Sequence, residues 1–352
     1  MFDSLPATAS DFYQQILGGS IFALKTKTYM DNYDAQRFSY DGVDRSALFN
    51  TPERVFYFDW FFRTHSEIYR AYSLLGNDDS RALMLYLLAY RLGGHHSVRI
   101  PVSFSTPEED ARGYFAAEKS EPSRLELGGM FGALKHFDFA FEGRHYKVDC
   151  LGLEYYLHRR QYFYESEGVR VAPETGDFVI DGGACLGDTA VVFANAVGPT
   201  GKVFAFDPVH EHLQVLAFNA RQNPEFAIQP MPYGLSDEDM DGDPIHLETY
   251  APGFNAASVQ VPLRSIDSLV LSGEIPKVDF IKLDIEGFEL AALRGAMATI
   301  RKFKPKLALS LYHKPNDIFE LPLFIQQNFP FYRMYIEHYT IHAEETVLYC
   351  IA

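Results

Sequence analysis

The spacing of apolar and polar residues changes near residue 165. Before it, apolar positions recur at helical intervals with irregular loops between them. After it, short apolar runs alternate with helical stretches, the pattern of a parallel sheet flanked by helices. In the first part, His65 to Leu75 reads as a helix closed by Gly76. Ser80 to Arg91 reads as another, capped by Asp78 or Asp79 and stopped at Gly93-Gly94. Thr106-Pro107-Glu108-Glu109 has the form of a capping box with proline at the first helical position, opening a helix to about Glu118. From Leu134 to Cys150 the text alternates through Phe137, Phe139, Phe141, Tyr146 and Val148 around Glu142-Gly143, which predicts a β-hairpin.

The second part predicts strands over 178–181, 202–206, 226–231, 278–283 and 306–312. Helices are expected over 188–197, 210–221, 287–300 and 317–328. A Pro/Gly/Asp-rich irregular stretch fills 232–262, and 331–338 with 346–351 form a closing antiparallel pair. Two domains follow: residues 1–165, mainly helical and aromatic-rich with a β-hairpin, and residues 166–352, an α/β domain built on a parallel sheet.

Composition narrows the function. The 352 residues carry 31 Lys+Arg against 47 Asp+Glu, a net charge of −16, which repels phosphate backbones and argues against nucleic acid as a partner. Hydrophobic residues make up 47%, enough for sizeable cores, and the 30 Phe and 22 Tyr are read chiefly as core. Cys150, Cys185 and Cys350 match no zinc spacing and read as reduced thiols. The N-terminus lacks a signal-peptide pattern and no apolar run reaches the ~18 residues of a membrane span, so a cytoplasmic protein without a membrane span is expected. A homo-oligomer is kept as a candidate.

A parallel sheet binds ligands at the carboxyl ends of its strands. Here those ends are polar: Asp181, Asp207, Ser236-Asp237, Lys282 with Asp284 and Glu286, Tyr312-His313, and His338. At the first end, Gly183 and Gly187 flank a turn into a helix whose first residues, Asp188 and Thr189, offer backbone N–H groups. The G-x-G-x-x-G register of a dinucleotide site is absent. Asp181 before the glycines opposes a pyrophosphate and suits a ligand with an ammonium group, such as S-adenosylmethionine. Asp207, 26 residues after Asp181, stands where ribose hydroxyls are bonded, or caps the helix after Pro208. Asp237 is read either as a partner of an adenine amine or as a turn residue.

Lys282 and Asp284 alternate onto one side of their strand. With Glu286 and His313 they form the candidate catalytic set: His313 as general base, Asp284 and Glu286 orienting an acceptor, Lys282 pairing with carboxylates. Asp284, Glu286 and His313 are also the candidate ligands of a divalent metal ion. Glu289 is read as a helix-starting acid and His95-His96 as a solvated loop.

These motifs resemble the FkbM family of S-adenosylmethionine-dependent methyltransferases. The matching text is Val179-Ile180-Asp181-Gly182-Gly183-Ala184 with Gly187-Asp188-Thr189, then Phe206-Asp207-Pro208, then Ser265-Ile266-Asp267-Ser268-Leu269. Asp279 to Glu289, Leu293-Arg294-Gly295-Ala296, Tyr312 to Asp317 and Glu345 to Tyr349 continue it. The resemblance covers roughly residues 160–352 and implies a class I methyltransferase fold, a Rossmann-like seven-stranded mostly parallel sheet. It also implies S-adenosyl-L-methionine as cofactor and O-methylation of a sugar, glycan or natural-product hydroxyl, so the expected partner is a small-molecule or saccharide acceptor. Cys185 stands where many such enzymes have glycine, a departure expected to alter little. The N-terminal part is assigned a substrate-covering or oligomerising role. The rivals are an NAD-dependent oxidoreductase and a non-catalytic binding protein on the same sheet.

Overall fold

The computed structural model describes residues 1–2, 4–27, 29, 32, 52–101, 120–125, 134–241, 244–246 and 258–352. The helix expected from Thr106 lies outside the described residues. In chain order, helices α1 (Ala9–Thr26), α2 (Pro52–Ser73) and α3 (Asp78–Gly93) precede strands β1 (Ser120–Pro122), β2 (Lys135–Phe141) and β3 (Arg144–Cys150). One π-helical turn, Glu154–His158, leads to β4 (Tyr164–Ser166) and β5 (Val169–Val171). Then come β6 (Phe178–Gly182), α4 (Asp188–Val197), β7 (Lys202–Phe206), α5 (His210–Gln222) and β8 (Ile228–Met231). Short strands β9 (Gly234–Leu235), β10 (Pro244–His246), β11 (Ser258–Gln260) and β12 (Leu263–Arg264) are followed by α6 (Ile266–Leu271) and β13 (Phe280–Leu283). The chain closes with α7 (Glu289–Arg294), α8 (Met297–Phe303), β14 (Lys306–Ser310), α9 (Asp317–Asn328), β15 (Arg333–His338) and β16 (Thr346–Ile351).

Seven strands form one sheet in the order β15-β16-β14-β13-β6-β7-β8. From β14 to β8 the neighbours pair in parallel. β6 and β13 lie side by side at the centre and are buried on both faces, which is why they read as continuous apolar runs. The helix expected over 287–300 is two helices. Gly295 ends α7, and its Cα faces the Ser236 carbonyl so closely that a side chain there would overlap it.

The chain divides into two compact units: Met1–Ser105 with Lys314–Val347, and Thr106–His313 with Leu348–Ala352. The boundary expected at residue 165 falls inside the second unit. The physical reason is the β2–β3 hairpin, whose Phe137, Tyr146 and Val148 share a core with Val191 and Val192 of α4 and Val215 of α5.

In the first unit, α1, α2 and α3 pack on one another and α2 packs on α9. The cap of α3 is Asn77, one residue before the expected acids; its side chain accepts from the Ser80 N–H. Trp60 Nε1 donates to Asn316 Oδ1 at 2.8 Å, and the Arg91 guanidinium lies over the Trp60 ring while donating to the Pro315 carbonyl. The solvated reading of the His95-His96 loop is corrected here. His96 is buried, with Nδ1 2.8 Å from the Tyr29 carbonyl, and burial pushes His95 down to about 4.

Candidate active site

The site is built where β6, β7, β13 and β14 end. Asp181 and Lys282 are partners in the β6–β13 register, and both are buried. Lys282 Nζ lies 3.1 Å from Asp181 Oδ1 and donates to the Gly183 carbonyl at 2.8 Å. Thr189 Oγ1 donates to Asp181 Oδ2 at 2.7 Å. Asp181 Oδ2 is therefore bonded inside the protein, while Oδ1 meets Lys282 as an ion pair without a hydrogen bond. Asp181, Thr189 and Lys282, expected at the ligand or the chemistry, hold the glycine turn. Burial works against the Lys282 charge, but the Asp181 and Asp284 carboxylates hold it above its ordinary value.

Gly183 has φ +74, and a Cβ there would overlap the Asp284 carbonyl oxygen. The glycine turn and the 282–289 segment thus interlock at van der Waals contact. Gly187, φ +86, is the left-handed residue before α4 and packs on Leu216. Cys185 has φ +46, a conformation that costs any residue with a Cβ, so the departure from glycine strains the loop. Asp188 opens α4, and burial pushes its carboxyl up to about 6.

Asp207 is buried, and three groups donate to it: the Cys185 N–H at 3.0 Å, the Val209 N–H at 2.9 Å and His212 Nδ1 at 3.0 Å. It ties the end of β7 to the glycine turn as well as to the start of α5. His212 was not singled out from the sequence; its spacing of five residues from Asp207 is the only signal. Ser236 is buried and bonds the exposed Asp237 at 3.1 Å, a turn geometry.

Asp284 is the centre of the second cluster. Its Oδ1 accepts from Ser310 Oγ at 2.7 Å and Tyr312 OH at 2.8 Å, with His313 Nε2 3.3 Å away; its Oδ2 accepts from Tyr162 OH at 2.9 Å. Burial would raise its carboxyl, but His313, Lys282 and the hydroxyl donors hold it below its ordinary value. Glu286, at φ +54, brings Oε2 to 3.8 Å from His313 Nε2, with its side chain 35% exposed. Glu289 is fully buried; its Oε1 accepts from the Ile285 N–H at 2.8 Å and pairs with His313 Nδ1 at 2.9 Å. Reading Glu289 only as a helix-starting acid missed this pair.

His313 thus sits among three carboxylates. Burial works against its charge, yet Glu289, Asp284 and Glu286 push it up to about 10. An imidazolium at neutral pH is no general base, which corrects the role expected for it. Among the described residues no group of three His, Cys, Asp or Glu side chains is arranged to hold a metal ion. The Asp284, Glu286 and His313 trio is not arranged as such a group. His338 belongs to the first unit, with Nδ1 2.8 Å from Thr346 Oγ1.

The arrangement suits a cationic nucleoside. Backbone N–H groups and two left-handed glycines line the turn, and carboxylates outnumber cations at the strand ends. A pyrophosphate would meet repulsion there, whereas a sulfonium and an ammonium would not. A parallel sheet of this order with such a turn is the fold of class I S-adenosylmethionine-dependent methyltransferases. Residues 181–342 match the family model of the methyltransferase FkbM domain. The hexuronic acid methyltransferase AglP of Haloferax volcanii is 32% identical over 126 residues, 35% of this chain and 51% of that protein. The crystal structure of methyltransferase FkbM from Methylobacillus flagellatus KT superposes with a TM-score of 0.55 at 20% identity, over 86% of this chain and 62% of that one. The chain spans about half the length of the curated relative it matches. Among the described residues, no helix is long and apolar enough to cross a membrane.

Proposed function

We propose that this protein transfers the methyl group of S-adenosylmethionine to a hydroxyl of a saccharide. The observation that carries the reading is the carboxylate edge of Asp284 and Glu286, held by His313 against the Gly183 turn. The likeness to a hexuronic acid methyltransferase supports a sugar as the acceptor class.

S-adenosylmethionine, when bound, supplies an activated methyl group on a sulfonium. The Gly183 turn, the N-terminus of α4 and the Asp207 region would hold it, with Asp188 facing its ammonium and Ser236-Asp237 on its adenine side. The protein's task is then to place the acceptor oxygen in line and remove its proton. Asp284 Oδ2 has room for one more donor and orients the acceptor hydroxyl. Glu286, partly open to solvent, takes the proton away. His313 remains protonated and keeps both carboxylates ionised.

Calorimetry against S-adenosylmethionine and NADH tests the cofactor. Incubation with S-adenosylmethionine and a panel of hexuronic acid and neutral hexose oligosaccharides tests the acceptor, read by S-adenosylhomocysteine release and by mass. Methylation of a saccharide hydroxyl is the expected result. Binding of NADH without S-adenosylmethionine would sink the reading.

A further inference from the structure

Tyr162 lies before the residues that match the FkbM domain, and no sequence motif draws attention to it. It is buried, and its hydroxyl donates to Asp284 Oδ2 at 2.9 Å across 122 positions of chain. Its ring faces Lys282 Nζ, 5.3 Å from the centroid. Its N–H donates to Tyr349 OH at 2.9 Å.

The segment that delivers it is irregular in a specific way. A π-helical turn, Glu154–His158, is followed by Arg160 at φ +56 and Tyr162 at φ +70, both in the left-handed region that side chains avoid. Gln161 between them is buried, and its N–H donates to the Tyr155 carbonyl. Such strain persists only where surrounding contacts over-determine it, and it gathers at functional sites.

The accounting at Asp284 gives the strain a purpose. A carboxylate has about four acceptor positions. Ser310, Tyr312 and His313 crowd Oδ1, while Tyr162 takes one position on Oδ2 and leaves one. We propose that Tyr162 is a positioning residue of the methyl-transfer site, fixing the direction of the one acceptor position left on Asp284 Oδ2. The inference rests on the functional reading above and extends the working site beyond the matched domain.

Y162F keeps the ring over Lys282 and deletes the hydroxyl. With S-adenosylmethionine and a saccharide acceptor, kcat is expected to fall about tenfold, the size of one lost hydrogen bond to a charged group, while cofactor affinity stays within about threefold. The acid limb of kcat/KM is expected to move to higher pH, because the carboxylate has lost a donor that favours its ionised form. A merely structural role would not move that limb. 3-Fluorotyrosine at position 162 has nearly the same shape and is a stronger donor, so it should move the limb the other way. A folded Y162F with unchanged kcat and an unmoved acid limb overturns the proposal; if Y162F melts early, the fluorotyrosine protein decides. A wild type that binds no cofactor or methylates no saccharide defeats the functional reading separately. The fluorine resonance at position 162 must then still follow the titration of Asp284 and lose that response in D284N, or the proposal fails with it.

Discussion

Lys282 stands opposite Asp181 in the register of the two central strands, with its Nζ 3.1 Å from the carboxylate and neither side chain reaching solvent. Register alone brings the pair together from 101 positions apart. The same ammonium holds the Gly183 carbonyl, so one cation fixes both the sheet centre and the mouth of the ligand turn.

Breaking that pair is costly. Lys282→Met leaves Asp181 charged and buried, and unfolding in urea should show a loss of about 3–5 kcal/mol. The double variant Lys282→Met, Asp181→Leu should recover much of that loss, since two matched apolar groups leave no uncompensated charge. A single variant as stable as the wild type would contradict the arrangement.

Two glycines with the same φ separate backbone strain from close approach. Gly143, at φ +75, has open space where a Cβ would go, so Gly143→Ala should cost about 1 kcal/mol and leave cofactor binding intact. Gly183, at φ +74, faces the Asp284 carbonyl, so Gly183→Ala must push the turn away from β13. Calorimetry should show S-adenosylmethionine affinity reduced by tenfold or more, about 1.4 kcal/mol. Equal behaviour of the two variants would refute the interlock.

His313 predicts a pH dependence of definite sign. Its folded value of about 10 lies above the ordinary 6.5. The stabilisation is therefore complete below about pH 6.5 and is lost as pH rises towards 10. Denaturation at pH 6 and pH 10 should differ by several kcal/mol in the wild type and by much less in His313→Gln. Glu289→Gln removes the carboxylate bonded to Nδ1, so the loss should be smaller and complete at a lower pH.

Asp188 runs the opposite way. Burial lifts its folded value to about 6 from the ordinary 3.8, so its charge penalises the folded state once pH exceeds about 4, and fully above about 6. Asp188→Asn should raise stability at pH 7 by about 1–2 kcal/mol, with no gain at pH 4. It should also weaken S-adenosylmethionine binding, if the carboxylate faces the cofactor ammonium as proposed. Thermal melting and calorimetry on one preparation check both.

The α/β half was legible because its elements are local. The helix Asp188–Val197 and the strand Lys202–Phe206 fall where apolar spacing puts them, since each obeys a single period. The break at Gly295 was not legible, because it answers to the carbonyl of Ser236, 59 positions earlier. The identity of the polar strand ends was readable; their partners were not. Glu289 looked like any acid at a helix start until His313 was found against it. Tyr162 gave no signal, since its meaning depends on Asp284 and on a left-handed backbone that no side-chain pattern encodes. The expectation of aromatic core held for Phe12, Phe61, Phe137 and Phe193, all fully buried, though Phe22, Phe56 and Phe62 are exposed.

The first unit is stitched from both ends of the chain. Trp60 meets Asn316, and Ser80 Oγ accepts from the Ile336 N–H, each pair 256 positions apart. A ribosome releases α1 to α3 long before α9 and β15 exist to cover them. The nascent helices must wait, with part of their apolar faces uncovered, while residues 106–313 of the second unit emerge. Folding of this unit thus waits until residues 314–347 have been made, and chaperone dependence should be greatest in that interval.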